Sequence, residues 1–139
     1  MIKTKIQPQI LLSTLWIFVL LNMVFRDLHQ FGKKSFIEEI MTGKVNGIEI
    51  TDELMLIGGF LVELPILMVL LSRILVAKVN KWANILASII TMLVLASALP
   101  SADLDDLFFL IIEFPAFFAI ILIAWELPSL IKTNSQFSI

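Results

Sequence analysis

The sequence predicts an all-α membrane protein, a bundle of four transmembrane helices in a single domain that covers residues 1–139. Hydrophobic residues make up 59% of the chain and charged residues only 16%. The mean hydropathy of +0.98 is far above that of soluble domains. Four apolar stretches are long enough to cross a bilayer, and a Glu-x-Pro motif occurs in two of them.

The four predicted spans are close to the roughly 20 residues that a membrane-crossing helix requires. They cover about 10–28, 54–75, 82–99 and 107–127. The first span follows two lysines, as a signal peptide would, but "NMVFRDLHQF" (22–31), at the end of the span and just beyond it, contains no small-residue cleavage site. We therefore expect it to remain as a helix of the bundle.

The first connection between spans is long and has structure of its own. In "SFIEEIM" (35–41), apolar and acidic residues fall on opposite sides of a short amphipathic helix. Asn46 and Gly47 predict a turn before an extended segment at 48–50. We expect this helix to lie over the bundle or in the membrane interface.

The other two connections are short. "KVNKW" (78–82) predicts a tight turn, and "PSADLDD" (100–106) forms the last loop. Oxygen-bearing side chains suited to cap a helix stand before two of the spans. They are Thr51 or Asp52 before the second span and Ser101 or Asp103 before the fourth.

Basic residues outside the spans, counted together with Arg73 at the end of the second span, favour one orientation. Six lie on the side of the termini, here called the inner side, and three on the opposite, outer side: Lys3, Lys5, Arg73, Lys78, Lys81 and Lys132 against Lys33, Lys34 and Lys44. Basic residues accumulate in cytoplasmic loops. We therefore predict that both termini are cytoplasmic.

The Glu-x-Pro motif indicates an internal repeat. When 58–76 is aligned with 108–126, Glu63 superposes on Glu113 and Pro65 on Pro115. The second and fourth helices run in the same direction, so the chain would consist of two parallel helical hairpins related by a pseudo-repeat. A chance match in a chain rich in Leu, Ile and Phe is the alternative.

The two glutamates are the main candidate site residues. Glu63 lies about 13 Å and Glu113 about 9 Å below the start of its predicted helix, where an ionised carboxylate is costly. Each proline removes one helix hydrogen bond and favours a kink, so Pro65 and Pro115 are the helix-kink candidates. These features predict a polar pocket inside the bundle, although buried glutamates can also simply join helices.

The first helix contributes two further candidates for binding a ligand or proton. Asn22 and Arg26 are four residues apart and share one face of the helix, which His29 continues. A snorkelling Arg26 can reach either glutamate or the water. Helix association or interfacial anchoring is the alternative role for both residues.

Several chemistries lack the residues that they require. The chain has no cysteine and one histidine, so we predict no metal site and no cofactor. The net charge of −2 does not favour nucleic acid as a partner. No nucleophile–base or phosphate-cradling motif is present, so an enzyme is the weakest hypothesis, left open only because two glutamates can act as acid and base.

Several segments resemble a bacterial family of small four-helix membrane proteins of unknown function, which is similar in layout to the DoxX-like membrane proteins. They are "LSTLWIFVLLNMVFRDL" (12–28), "TGKVNGIEIT" (42–51), "VELPILMVLLSRIL" (62–75), "VNKWANI" (79–85) and "IIEFPAFFAIILIAWEL" (111–127). The resemblance covers nearly the whole chain and implies a four-helix fold in the bacterial inner membrane. Some DoxX-like proteins are linked to quinone-like redox chemistry, but this chain lacks the cysteines or paired histidines to carry electrons. The resemblance therefore implies no catalytic residue.

Two functional hypotheses follow. In the first, the pocket around the Glu-x-Pro motifs binds or carries a small amphipathic ligand, a cation or a proton. In the second, the protein is a non-enzymatic accessory or scaffold subunit in which the glutamates are structural. The expected partners are the lipid bilayer, together with such a ligand, a homo-oligomer or another membrane protein.

Overall fold

A computed structural model describes residues 7–136, with side chains described for 7–129. The long helices are α1 (Pro8–Gln30), α3 (Asp52–Ile74), α4 (Ala77–Ser97) and α5 (Leu104–Gln136). A short helix α2 (Lys34–Met41) and a two-stranded hairpin, β1 (Lys44–Val45) and β2 (Ile48–Glu49), lie between α1 and α3. A 3₁₀ turn (Leu99–Ser101) links α4 to α5.

The prediction of four membrane-spanning helices is confirmed at the level of length and composition. Four helical segments of the described chain are long and apolar enough to cross a membrane: Pro8–Gln30, Asp52–Ile74, Ala77–Ser101 and Leu104–Ser129. Lys3 and Lys5, which contribute to the predicted orientation, lie outside the described residues. The orientation and the pseudo-repeat stay predictions.

The predicted turn at 78–82 is wrong, because α4 already begins at Ala77. The chain reverses at Leu75 and Val76, both in an extended conformation. The amide side chain of Asn80 donates to the carbonyl oxygens of Ser72 at 2.7 Å and Leu75 at 3.5 Å. It thereby satisfies acceptors that the end of α3 leaves free, and this allows the turn to be shorter than predicted.

The long helices form a closed ring in which each packs against two others. The contacting pairs are α1 with α3, α3 with α4, α4 with α5, and α5 with α1. Most of the buried residues in the described chain are apolar, and the largest fully buried ones are Trp16, Phe117, Leu12, Met68, Ile120 and Leu127. Polar side chains are buried among them, including Asn80, Asn84 and Glu113. Trp16 and Phe117 meet edge to face, with 5.9 Å between ring centroids.

The first loop has the predicted elements. Helix α2 begins one residue before the predicted 35–41, and Phe36 packs edge to face on Phe31. In the hairpin, Asn46 and Gly47 both have positive φ, 51° and 76°, as the tight turn between β1 and β2 requires. The amide N–H of Gly47 also donates to the carboxylate of Glu39 at 3.0 Å, which ties the turn to α2.

Side-chain oxygens cap the two helices for which caps are predicted. Thr51 accepts a hydrogen bond from the amide of Leu54 at 3.2 Å at the start of α3. Asp103 accepts from the amides of Asp105 at 3.0 Å and Asp106 at 3.1 Å at the start of α5. Of the alternatives at each end, Thr51 and Asp103 are therefore the residues that cap.

Helix α3 packs mainly through its inner half. Its buried residues are Pro65, Met68 and Ser72, which share one face. All residues from 51 to 60 are exposed. The outer half of α3 thus has little contact with the rest of the described chain.

The two Glu-x-Pro motifs have opposite orientations. In α3 the proline, Pro65, is buried and Glu63 is exposed, whereas in α5 Glu113 is buried and Pro115 is exposed. Both helices continue through their prolines. The glutamate side chains therefore do not face each other across the bundle.

Candidate functional site

A cavity of about 370 Å³ opens at the outer end of the bundle. The end of α1, helix α2, the end of α4 and the start of α5 surround it. Its charged lining consists of Arg26, Asp27, Lys33, Glu39, Asp103 and Asp106. Phe36, Leu95, Ala98 and Leu110 give it an apolar side.

Arg26, which lines this cavity, forms an ion pair between α1 and α5. Nη1 of Arg26 donates to Oε2 of Glu113 at 3.1 Å. The Glu113 side chain is fully buried, and that of Arg26 is 13% exposed. Nε of Arg26 also lies 3.8 Å from the exposed carboxylate of Asp27. Arg26 thus joins a buried carboxylate to the lining of the cavity.

One oxygen of Glu113 lacks a partner. Oε1 is buried and accepts no hydrogen bond from the described residues. A buried carboxylate oxygen without a donor is unfavourable. This oxygen has capacity for a further hydrogen bond, as has the buried Oδ2 of Asp105.

Three further contacts continue from the Arg26–Glu113 pair toward the outer side, and together they form what we call the α1–α5 polar ladder. Nδ1 of His29 lies 3.2 Å from the Asp105 carboxylate. The amide of Gln30 donates to Asp106 at 3.1 Å. The last contact is an ion pair between Lys33 and Asp103.

The Lys33–Asp103 pair changes the titration of both side chains. The hydrogen bond from Lys33 lowers the pKa of Asp103 below its ordinary value, and the backbone amide of Asp106 adds to the effect. The same hydrogen bond raises the pKa of Lys33. Both charges are therefore retained over a wider pH range than usual.

The charge that remains in the cavity is negative. Four carboxylates and only two basic side chains line it. Each basic side chain is already in an ion pair, Arg26 with Glu113 and Lys33 with Asp103. Glu39 and Asp106 accept hydrogen bonds only from neutral donors among the described residues. A positively charged guest would therefore find carboxylates without cationic partners.

The structure brings together two of the four predicted ligand-binding residues, Arg26 and Glu113. Asn22 is half-buried, and its side chain donates to the carbonyl oxygen of Phe18 in its own helix at 2.9 Å. Glu63 is exposed on α3 and has no hydrogen-bond or ion-pair partner among the described residues. The cavity accordingly takes its remaining charges from residues outside the predicted set.

Sequence reasoning did not select the amide of Gln30 or five charged residues of the lining as site residues: Asp27, Lys33, Glu39, Asp103 and Asp106. Part of the signal is present in the spacing. Arg26 and Gln30 are four residues apart on α1, and Asp106 and Glu113 are seven apart on α5. Both spacings place side chains on one helix face, so two matching polar faces could have been recognised.

A separate polar cluster lies at the inner end, and its hydrogen bonds join three helices. Oδ1 of Asn84 accepts from Nε1 of Trp16 at 2.7 Å and from the hydroxyl of Ser72 at 3.0 Å. Its amide donates to the side chain of Asn80 at 2.6 Å. Nearby, Arg73 donates to the hydroxyl of Ser13, which donates to the carbonyl oxygen of Val69. These hydrogen bonds join α1, α3 and α4 toward the inner end of the bundle.

The acidic and histidine side chains are the groups with which this chain could hold a metal ion. No group of three or more His, Cys, Asp or Glu residues among the described ones is arranged to hold a metal ion.

A family model matches residues 2–132, almost the whole chain. The chain belongs to the family of unknown function DUF6326. This confirms the predicted membership of an uncharacterised family, while the similarity to DoxX-like proteins stays a prediction. No curated protein and no solved structure shows a significant match to this DUF6326 chain.

Proposed function

We propose that this DUF6326 protein is a small membrane protein that binds an amphipathic organic cation in its outer cavity, as the first step of carrying it. The observation that supports the proposal is the surplus of carboxylates around a cavity whose two basic groups are already paired. A cavity of about 370 Å³ is at the small end of ligand sites in proteins. The apolar side of the cavity suits the hydrophobic body of such a ligand, and the carboxylates suit its positively charged group.

The two ends of the bundle support the order of events. The outer cavity is open to the surface, where Ser35, Asn46 and Asp103 are exposed. The inner end is held by the Trp16–Asn84–Ser72 hydrogen bonds. This arrangement corresponds to a form that receives ligand from the outer side. Passage to the inner side would require these bonds to open.

The proposed location is the bacterial inner membrane, with the termini and the α3–α4 turn on the cytoplasmic side. Arg73, Lys78 and Lys81 lie at this end. Nζ of Lys81 lies 3.4 Å from the ring centroid of Trp125 and 5.6 Å from that of Trp82. Tryptophan and lysine together are typical of the membrane–water interface.

Binding of matched small molecules to the purified protein in nanodiscs tests the proposal. The probes are 2-phenylethylamine, the neutral 2-phenylethanol and the anionic 3-phenylpropionate, which share an aromatic body and differ in charge. We expect the amine to bind most tightly and its affinity to fall with added salt. Tighter binding of the anion than of the amine would contradict the proposal.

Variants of the lining assign the binding to the cavity. Neutralising Glu39 or Asp106 as Glu39→Gln or Asp106→Asn should weaken amine binding about threefold or more, since each removes one partly screened attraction. Glu49→Gln is the matched control, because Glu49 is an exposed carboxylate of β2 that does not line the cavity. Equal effects of all three variants would indicate a general charge effect and exclude this site.

The accessory-subunit hypothesis is the second candidate, and the saturation of the basic groups favours it. Arg26 and Lys33 already have carboxylate partners, as expected if the polar ladder only joins α1 to α5. In that case no probe would bind at the cavity. Glu113→Gln would lower stability in either case, so the binding of the probes separates the two candidates.

A further inference from the structure

Helix α3 has the most exposed surface of the four spans. Only 11% of an apolar 18-residue stretch of α3 is buried, compared with 28% to 33% of the corresponding stretches in the other three spans. Five apolar residues on the face that points away from the bundle are 44% to 71% exposed: Leu56, Phe60, Leu67, Leu70 and Ile74. Together with Glu63 they form what we call the α3 seam.

The spacing of the α3 seam is that of a coiled-coil interface. Positions 56, 60, 63, 67, 70 and 74 follow one another at alternating intervals of four and three residues. This is the heptad pattern by which two helices pack along their length. At about 100° per residue, the seam points away from Pro65, Met68 and Ser72, which face the bundle. It is therefore a second packing surface and not an extension of the core.

A carboxyl group stands in the middle of this seam. Glu63 is eleven residues from Asp52 and eleven from Ile74, the two ends of α3. With α3 across a bilayer, Glu63 lies near its centre, where a carboxyl group exposed to lipid is unfavourable. The described chain offers it no hydrogen-bond partner. The position therefore calls for a polar partner from another molecule.

The residue one turn before Glu63 permits close approach. Gly59 lies on the same face, and a Cβ added to it would meet nothing within 4 Å. Small residues at such positions let two helix backbones pack closely in a membrane. Together, Gly59, Glu63 and the heptad spacing describe an interface for a helix.

We propose that the α3 seam binds the α3 seam of a second copy of this chain, forming a parallel two-fold dimer. All copies inserted in one orientation hold Glu63 at the same depth, so a two-fold axis along the membrane normal brings the two carboxyl groups together. A neutral carboxyl group both donates and accepts a hydrogen bond. Each Glu63 thus supplies the partner that the other lacks. This proposal goes beyond ligand binding and does not depend on it.

Cysteine cross-linking in native membranes tests the pairing, because the chain contains no cysteine of its own. Single variants Leu56→Cys, Phe60→Cys and Leu67→Cys should form disulfide-linked dimers of twice the chain mass when oxidised with copper phenanthroline. Ile57→Cys and Leu122→Cys are exposed controls, on another face of α3 and on α5, and should remain monomeric. Equal cross-linking at all five positions, absence of seam cross-links, or cross-links only to a protein of another mass would overturn the proposal.

Two pairs of variants test the contacts themselves by energy transfer between labelled copies in liposomes. Gly59→Leu should weaken dimerisation by about tenfold by keeping the backbones apart. Gly58→Leu is the matched control, because Gly58 is equally open but lies about 140° from Glu63 around the helix. Glu63→Gln, which retains a donor and an acceptor, should dimerise like the native chain, and Glu63→Leu should dimerise several-fold more weakly. Identical dimerisation of both glycine variants, or of both Glu63 variants, would contradict this interface.

Discussion

Replacing Arg26 with methionine is expected to destabilise the bundle by about 3 kcal/mol. Arg26 and Glu113 are 3.1 Å apart, and two unit charges at that distance attract by about 5 kcal/mol at an effective dielectric constant near 20. Breaking a buried pair costs about 3–5 kcal/mol, because the remaining charge loses its partner. The Arg26 side chain is 13% exposed and borders the cavity, so solvent screening places the expected loss at the lower end.

Reversible unfolding in mixed detergent micelles measures this loss. Trp16 is fully buried, so its fluorescence should report the opening of the core. Glu63→Gln is the control, because Glu63 is exposed and has no ion pair among the described residues. We expect this control to change the unfolding free energy by less than about 0.5 kcal/mol.

The double variant Arg26→Met with Glu113→Leu decides whether the pair acts as a unit. Removing both charges avoids an isolated buried carboxylate, so the double variant should be more stable than Arg26→Met alone. The coupling energy from this cycle should be about 2 kcal/mol or more. If the two single losses simply add, Arg26 and Glu113 do not interact energetically and the reasoning is refuted.

Three further predictions concern contacts away from this pair. Trp16→Phe should cost about 1–2 kcal/mol, because Asn84 loses a buried donor; since this variant lacks the fluorescent reporter, its unfolding and that of the native chain are followed by helical circular dichroism, and an unchanged stability would contradict this role. Lys33→Met should raise the pKa of Asp103, measured by carboxyl NMR, toward its ordinary value, and an unchanged pKa would contradict the role of Lys33. In the native chain the lowered pKa of Asp103 stabilises the fold at pH values above the pKa of the unfolded state, and this contribution is lost as the pH falls through the pKa of the folded state. Thr51→Ala should cost about 1 kcal/mol of local stability and speed amide hydrogen exchange at the start of α3, with equal exchange rates as the contrary result.

Much of the fold could be predicted because each element depends on a local pattern. The spans follow from runs of apolar residues, and the tight hairpin from Asn46 and Gly47, whose positive φ values few other residues adopt easily. The sequence predicts the α3–α4 turn too late, because asparagine is typical of loops and Asn80 lies inside α4. Its role as a cap for the end of α3 depends on a contact with Ser72 that only the folded turn creates.

The candidate site is harder to predict, because the rotation of each helix about its axis decides which side chains point into the bundle. Glu63 and Glu113 occupy the same position in similar motifs, yet one is exposed and the other buried. Helix rotation is determined by which face carries the better packing residues. In α3, Pro65 and Met68 lie on the face that packs against the bundle, so Glu63 points away from the bundle. The motif alone predicts how deep each carboxyl group lies along its helix, but not whether it points into the bundle or away from it.

The two proposed surfaces can be used at the same time because they lie on different helices. The cavity is lined by residues of α1, α2, α4, α5 and the loops beside them, and none of α3. The seam belongs to α3 alone. A parallel dimer through α3 would therefore leave both cavities open on the same side of the membrane. It would also give the outer half of α3, which has little support within one copy, a second helix to pack against. Loss of dimerisation by Gly59→Leu should consequently leave amine binding per chain unchanged.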